Sequence, residues 1–283
     1  MPTIEENRSH WNEMYDWPQA GEEWSKLWGS ARMQWFGSIL PRISSFVPVD
    51  TILEIAPGYG RWTRFLKELC NHLIIVDMSA RCIERCRERF ANCPHITYFV
   101  NDGRSLNMVP DGAVDFIFSF DSLVHAEDAV VKAYIAQFAK KLRPNGAAFL
   151  HHSNLGEYIR RIEIQSWLSK VPKLESFLRR LWICDNVASQ WRARSMTAAK
   201  MAMFAEEHDL QCISQELINW ESKFALVDCL STIVLPGSVW SRENRIFTNP
   251  GFMREAKRIS ILSHLYGSEP NCLVVRPPWR LQR

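Results

Sequence analysis

Five short runs rich in β-branched and aromatic residues constrain this chain most: TILEIA at 51–56, LIIVD at 73–77, ITYFV at 96–100, VDFIFSF at 114–120 and AAFLHH at 147–152. They show little alternation of apolar and polar residues, which is the pattern of strands covered on both faces. Helical patterns fill the gaps between them: 61–70, the charged SARCIERCRERF at 79–90, and EDAVVKAYIAQFAKK at 127–141, with RPNG placed to stop the last. Strand alternating with helix predicts βαβ units and a doubly wound, mostly parallel α/β sheet. LQCISQELINW at 210–220 and FALVDCLSTIVLP at 224–236 bring the count to seven strands, with a spacing that suits an antiparallel edge.

Around this frame the sequence predicts a helical cap over 1–45, a main domain over 46–240 interrupted by a helical insertion at 155–194 after the fifth strand, and a C-terminal extension over 241–283. In the cap, Trp24, Leu27, Trp28, Ala31, Trp35 and Ile39 share one helical face, which reads as core or as an aromatic lid. In the insertion, Arg160, Arg161, Lys170, Lys173, Arg179, Arg180, Arg192 and Arg194 are interleaved with Trp167, Trp182 and Trp191. They read as a solvated face or as a surface for a phosphorylated or nucleotide-linked ligand.

The eight cysteines include no CxxC pair, so reduced thiols and no metal site are expected. The N-terminus lacks a secretory pattern and no stretch approaches a membrane span, so a cytoplasmic location is expected. Net charge is only +3, on 34 basic and 31 acidic residues, which argues against nucleic-acid and membrane partners. Small-molecule chemistry is the expected class, and a homo-oligomer stays open.

The first strand runs into IAPGYGRWT. A dinucleotide loop wants GxGxxG, but here Ala56, Gly58 and Gly60 alternate, Arg61 holds the third-glycine place, and Glu54 precedes Gly58 by four residues. A carboxylate there repels pyrophosphate and favours a cation, and the absent GK[ST] removes a P-loop. The ligand this implies is a nucleoside bearing an ammonium group; the bland alternative is a plain strand-to-helix turn. Asp77, followed by Met78, ends the second strand where a carboxylate can accept both ribose hydroxyls. Asp102 follows the third strand, placed to accept from an adenine amino group, with Gly103 leaving room for the ring. Either acid alone is also an ordinary cap or turn residue.

Glu54 with IAPGYG, Asp77, Asn101 with Asp102, and Phe120 with Asp121 together resemble the class I S-adenosylmethionine-dependent methyltransferases, over residues 50–235. The resemblance implies S-adenosyl-L-methionine as cofactor, its methionine part held by Glu54, Gly58 and Gly60, its ribose by Asp77, its adenine flanked by Asp102, and its sulfur lined by Ser119 and Phe120. Ala56 departs from the glycine usual in that family.

Methyl transfer from a sulfonium is an in-line displacement, in which the protein aligns the reactants and removes a proton from a poor nucleophile. The candidate bases stand at strand ends: Asp121 and His125 in SFDSLVHAE, and the tandem His151 and His152 in FLHHSN. Neighbouring strand residues point to opposite faces, so at most one histidine of the pair addresses a substrate unless the strand has already ended. The histidine pair is similar to antibiotic-pathway sugar O-methyltransferases, which implies a hydroxyl of a sugar or glycosylated natural product as acceptor. SFDS stands where many nucleic-acid amino-methylating enzymes carry an NPPY-like element, so base methylation is not expected. A phenol, carboxylate or amine acceptor, a noncatalytic cofactor-binding subunit and a nicotinamide oxidoreductase remain as alternatives.

Overall fold

The computed structural model describes residues 3–168, 191–222 and 225–266. Its centre is an eight-stranded sheet: β1 (Val49–Ile55), β2 (Cys70–Asp77), β3 (Ile96–Val100), β4 (Val114–Ser119), β5 (Leu142–Ser153), β6 (Gln211–Ile218), β7 (Asp228–Val234) and β8 (Arg245–Asn249). The spatial order is β3-β2-β1-β4-β5-β7-β6-β8. The first five strands are mutually parallel, and β7 is antiparallel to both its neighbours.

The strand count is eight rather than seven, and the antiparallel strand is internal. Beyond it β8 forms the edge, paired in parallel with β6. Residues 245–248 of β8 are exposed, so burial imposed no apolar pattern there that could have marked a strand. The helix ends at Lys141, ahead of RPNG as expected, but β5 already begins at Leu142 and runs through RPNG.

Among the described residues, the helices of ten or more residues are α1 (Ala80–Arg89), α2 (Asp128–Lys141), α3 (Ile159–Leu168), α4 (Ala198–Glu207) and α5 (Phe252–Tyr266). Successive strand residues feed opposite layers. Ile52, Ile75, Phe116, Phe118 and Phe149 join a core with Trp28, Trp35 and Phe252, whereas Leu53, Val76, Ile117 and Leu150 pack with Ile135, Phe138 and Phe204 of α2 and α4. Two covered faces explain why the strand runs do not alternate.

The N-terminal segment forms short helical turns between Ile4 and Ile43, starting at a capping box in which Thr3 and Glu6 exchange bonds. Its aromatic stripe divides. Trp28, Ala31, Trp35 and Ile39 are buried core, while Leu27 is exposed and Trp24 turns toward the glycine loop. Helix α5 packs on this cap: Arg42 pairs with Glu216 and Glu255, and Ser38 links Trp28 Nε1 to Glu255.

Of the basic residues in the insertion, Lys170, Lys173, Arg179 and Arg180, with Trp182, lie outside the described residues. Arg192 is turned inward onto Asp228, at 2.9 and 3.1 Å. Among the described residues no helix is long and apolar enough to cross a membrane.

Candidate active site

The order of the sheet reverses between β1 and β4, and at such a switch point the carboxyl ends of the strands open a crevice. A cavity of about 400 Å³ lies there. The β1 loop forms its floor. Ala56 continues the β1–β2 ladder by donating to Val76 O at 2.7 Å, then takes φ 57°, a left-handed conformation that strains a residue with a Cβ. The position usually filled by glycine in the resembled family is thus filled here by the smallest side chain that can bear it.

Gly58 and Gly60 also have positive φ, at 58° and 81°. A Cβ on Gly58 would stand 2.7 Å from the Trp17 ring, and one on Gly60 would stand 2.5 Å from Phe90. Gly58 lines the cavity, while Gly60 allows the loop to close on α1 and does not line it.

Asp77, at the end of β2, is buried but faces the cavity. Its Oδ2 accepts from Gly58 N at 3.2 Å and its Oδ1 from Ser79 N at 2.8 Å. A carboxylate has about four lone-pair sites, so each oxygen keeps one for a ligand hydroxyl. Burial pushes its pKa up to about 6, against the backbone donors that lower it.

Glu54 is placed otherwise than expected. It lies beneath the loop, 1% exposed, accepting from Thr63 Oγ1 at 2.6 Å, and does not line the cavity. Burial pushes its carboxyl up to about 8, so it is no ready partner for a cation.

At the β3 end, Asn101 Oδ1 accepts from Gly103 N and its Nδ2 donates to Ser105 O and Tyr134 Oη. Gly103, Met78 and Arg104 line the cavity. Asp102 does not: it is exposed, and its Oδ1 is engaged by the N–H groups of Arg104 and Ser105. After β4, Phe120 lines the cavity, whereas Ser119 is fully buried and donates to Ile55 O.

Asp121 follows, with φ 64°, on the cavity wall, its carboxylate 2.7 Å from Arg61 Nη2. Arg61 lies over the rings of Trp24 and Trp62, at 5.2 and 4.5 Å from their centroids. His125 also lines the cavity. Its Nδ1 donates to the carbonyl of Trp191, which leaves Nε2 without a proton; burial lowers its pKa to about 4.

The tandem histidines are corrected by the structure. His151 and His152 are both fully buried and neither lines the cavity. His152 Nδ1 donates to Ser153 O and Nε2 meets Ser231 Oγ at 2.8 Å, while His151 bonds Asp121 N and Asp228. With both ring nitrogens engaged inside the protein, neither can meet a substrate. β5 stays paired with β7 through Ser153, so the strand has not ended at 151 and 152, and both side chains are buried where they stand.

The N-terminal segment closes the remaining side. Asn7 donates to His125 O, Arg8 to Asp102 O, and Asn12 Oδ1 accepts from Ser79 and Arg81. Trp17 stacks on Tyr59 with centroids 4.4 Å apart, and Trp11 reaches His125. Sequence reasoning missed Arg61 as a wall residue, although its place in the helix turn facing the β4 loop was a usable signal.

Residues 52–146 match the family model described as Methyltransferase domain. This stretch is a methyltransferase domain, whose cofactor is S-adenosylmethionine. Phosphoethanolamine N-methyltransferase 1 of Triticum aestivum is 30% identical over 118 residues, covering 40% of this chain and 24% of that protein. Nodulation protein S of Sinorhizobium fredii is 28% identical over 100 residues, 35% of this chain and 45% of that protein. The matches to this methyltransferase domain therefore span less than half the length of these relatives. The structure of Haemonchus contortus phosphoethanolamine N-methyltransferase 1, with phosphoethanolamine and S-adenosylhomocysteine, shares the fold with a TM-score of 0.54 at 15% identity, covering 93% of this chain and 54% of that one.

The cavity suits this cofactor on its own terms. Its size is that of a nucleoside ligand, and the buried Asp77 carboxylate aims free lone pairs into it beside glycine backbone.

Proposed function

We propose that the chain transfers a methyl group from S-adenosylmethionine to a proton-bearing heteroatom of a small molecule, with a hydroxyl as the acceptor, such as one on a sugar or glycosylated natural product. The observation that carries this reading is the pairing, in one cavity, of Asp77 at the β2 end with Asp121 and His125 beyond β4. The cofactor, when bound, supplies an activated methyl on its sulfonium. Asp77 holds the ribose, and Gly58 with Ala56 lets backbone approach the methionine portion. Asp121 takes the acceptor's proton, and Arg61 steadies its carboxylate. The bare Nε2 of His125 offers a second acceptor for that proton.

An amine acceptor is the second reading. It is supported by the N-methyltransferases among the similar proteins and by the aromatic wall at this end, where Trp24 and Trp62 already hold one cation, Arg61.

Incubation with methyl-labelled S-adenosylmethionine and two probes, methyl α-D-glucopyranoside and phosphoethanolamine, separates the readings. Label in the glucoside supports the hydroxyl; label in phosphoethanolamine alone moves the acceptor to an amine. Asp121→Asn should lower single-turnover transfer about 10²–10⁴-fold, the range of general-base catalysis. Unchanged transfer would remove Asp121 from the proton path.

A further inference from the structure

Asp121 holds a left-handed backbone conformation without being a glycine, and its carboxylate direction follows from that conformation. Its N–H donates to His151 Nδ1 at 3.1 Å. An N–H can only donate, so Nδ1 carries no proton and Nε2 carries the single one. Nε2 then donates to Asp228 Oδ2 at 3.2 Å, and Arg192 Nε bridges both oxygens of the same carboxylate. His151 and Asp228 are fully buried, and the imidazole packs against the rings of Phe120 and Trp220, with centroids at 4.7 and 5.1 Å.

We infer that His151 is a positioning residue: fixed by Asp228 as the Nε2–H tautomer, it holds the Asp121 backbone so that the Asp121 carboxylate stays on the cavity wall against Arg61. This rests on Asp121 being the proton acceptor of the proposed reaction. The chain of contacts runs from Arg192 through Asp228 and His151 to Asp121, and ends at Arg61 between Trp24 and Trp62. Each charge in it is faced by its opposite, and each ring nitrogen of His151 has one role. A second proton on His151 would set two N–H donors against each other and release Asp121. The histidine pair thus enters the reaction through the geometry of a neighbour rather than by touching substrate.

The test compares His151→Asn, whose side-chain oxygen can replace Nδ1 as the acceptor, with His151→Leu, which has none. Transfer to the two probes named above is followed alongside S-adenosylhomocysteine titration. His151→Leu should lower kcat by about 10²-fold or more while cofactor affinity stays within about threefold, and His151→Asn should recover to within about tenfold of wild type. Equal loss in both variants, or wild-type kcat in His151→Leu, overturns the inference. If Asp121→Asn also turns over normally, the proton-acceptor reading fails instead; if only Asp121→Asn is impaired, the positioning role alone fails. Imidazole ¹⁵N shifts of the wild-type protein decide independently of whether a variant folds. A bare Nδ1 and a protonated Nε2 on His151 are expected at neutral pH, and a protonated Nδ1 overturns the inference.

Discussion

The indole of Trp17 covers Gly58: a Cβ on that glycine would stand 2.7 and 2.9 Å from two ring carbons. The contact ties the N-terminal segment to the cofactor loop, so the glycine serves the lid as well as the cavity. Gly58→Ala adds both a clash and a side chain at φ 58°. It should destabilise the protein by about 2 kcal/mol in urea denaturation. In a Trp17→Ala background only the backbone strain remains, and the same substitution should cost about 1 kcal/mol. Additive effects of the two changes would show that the ring and the glycine do not meet in solution.

Asp77 sets a pH dependence for cofactor binding. Its folded pKa is raised to about 6 by burial, so the ionised form that best accepts ribose hydroxyls is lost as pH falls through that value. S-adenosylhomocysteine affinity should be flat from pH 7 to 8 and fall by up to about tenfold per pH unit below 6. Asp77→Asn should bind weakly and without that slope.

Glu54 governs stability instead. An acid whose folded pKa is raised contributes stability that is complete below its unfolded pKa and is lost as pH rises through the folded one, here about 8. Wild-type stability should therefore fall between pH 6 and 8, a range above the Asp77 transition, by up to about 1 kcal/mol per pH unit. Glu54→Gln should remove that slope while leaving cofactor affinity within about threefold. A large loss of affinity would return Glu54 to the cavity.

Ala56 carries left-handed backbone strain that glycine would relieve, while glycine's greater freedom when unfolded offsets the gain. Ala56→Gly should change stability by less than about 0.5 kcal/mol. Ala56→Val should destabilise by about 2 kcal/mol or more, because a β-branched side chain tolerates positive φ poorly. Thermal denaturation of the three proteins measures both.

The sheet was legible because its strands are covered on both faces: ILEI and FIFS leave no polar alternation, and Asp77 and Asp121 mark the ends of two strands. Asp77, Gly58, Phe120 and Asp121 were legible for the same reason, since position at a strand end points them at the crevice. The histidine pair misled because sequence gives the residue at a strand end but not what covers it, and β7 supplies Asp228 and Ser231 from about 80 positions away. Asp102 and Glu54 lie off the cavity for related reasons. One is occupied by its own turn and the other lies beneath its own loop. The Trp17 contact with Gly58 is long-range, and no local pattern encodes it. RIFTN of β8 was invisible because it is exposed.

The most direct test is calorimetric titration of the wild-type chain and Asp77→Ala with S-adenosylhomocysteine, with a nicotinamide dinucleotide as control. The account expects one-to-one binding of S-adenosylhomocysteine to wild type, no binding of the dinucleotide, and affinity weaker by about 1.5–3 kcal/mol in a folded Asp77→Ala. Absence of S-adenosylhomocysteine binding, or equal affinity in a folded Asp77→Ala, would contradict it.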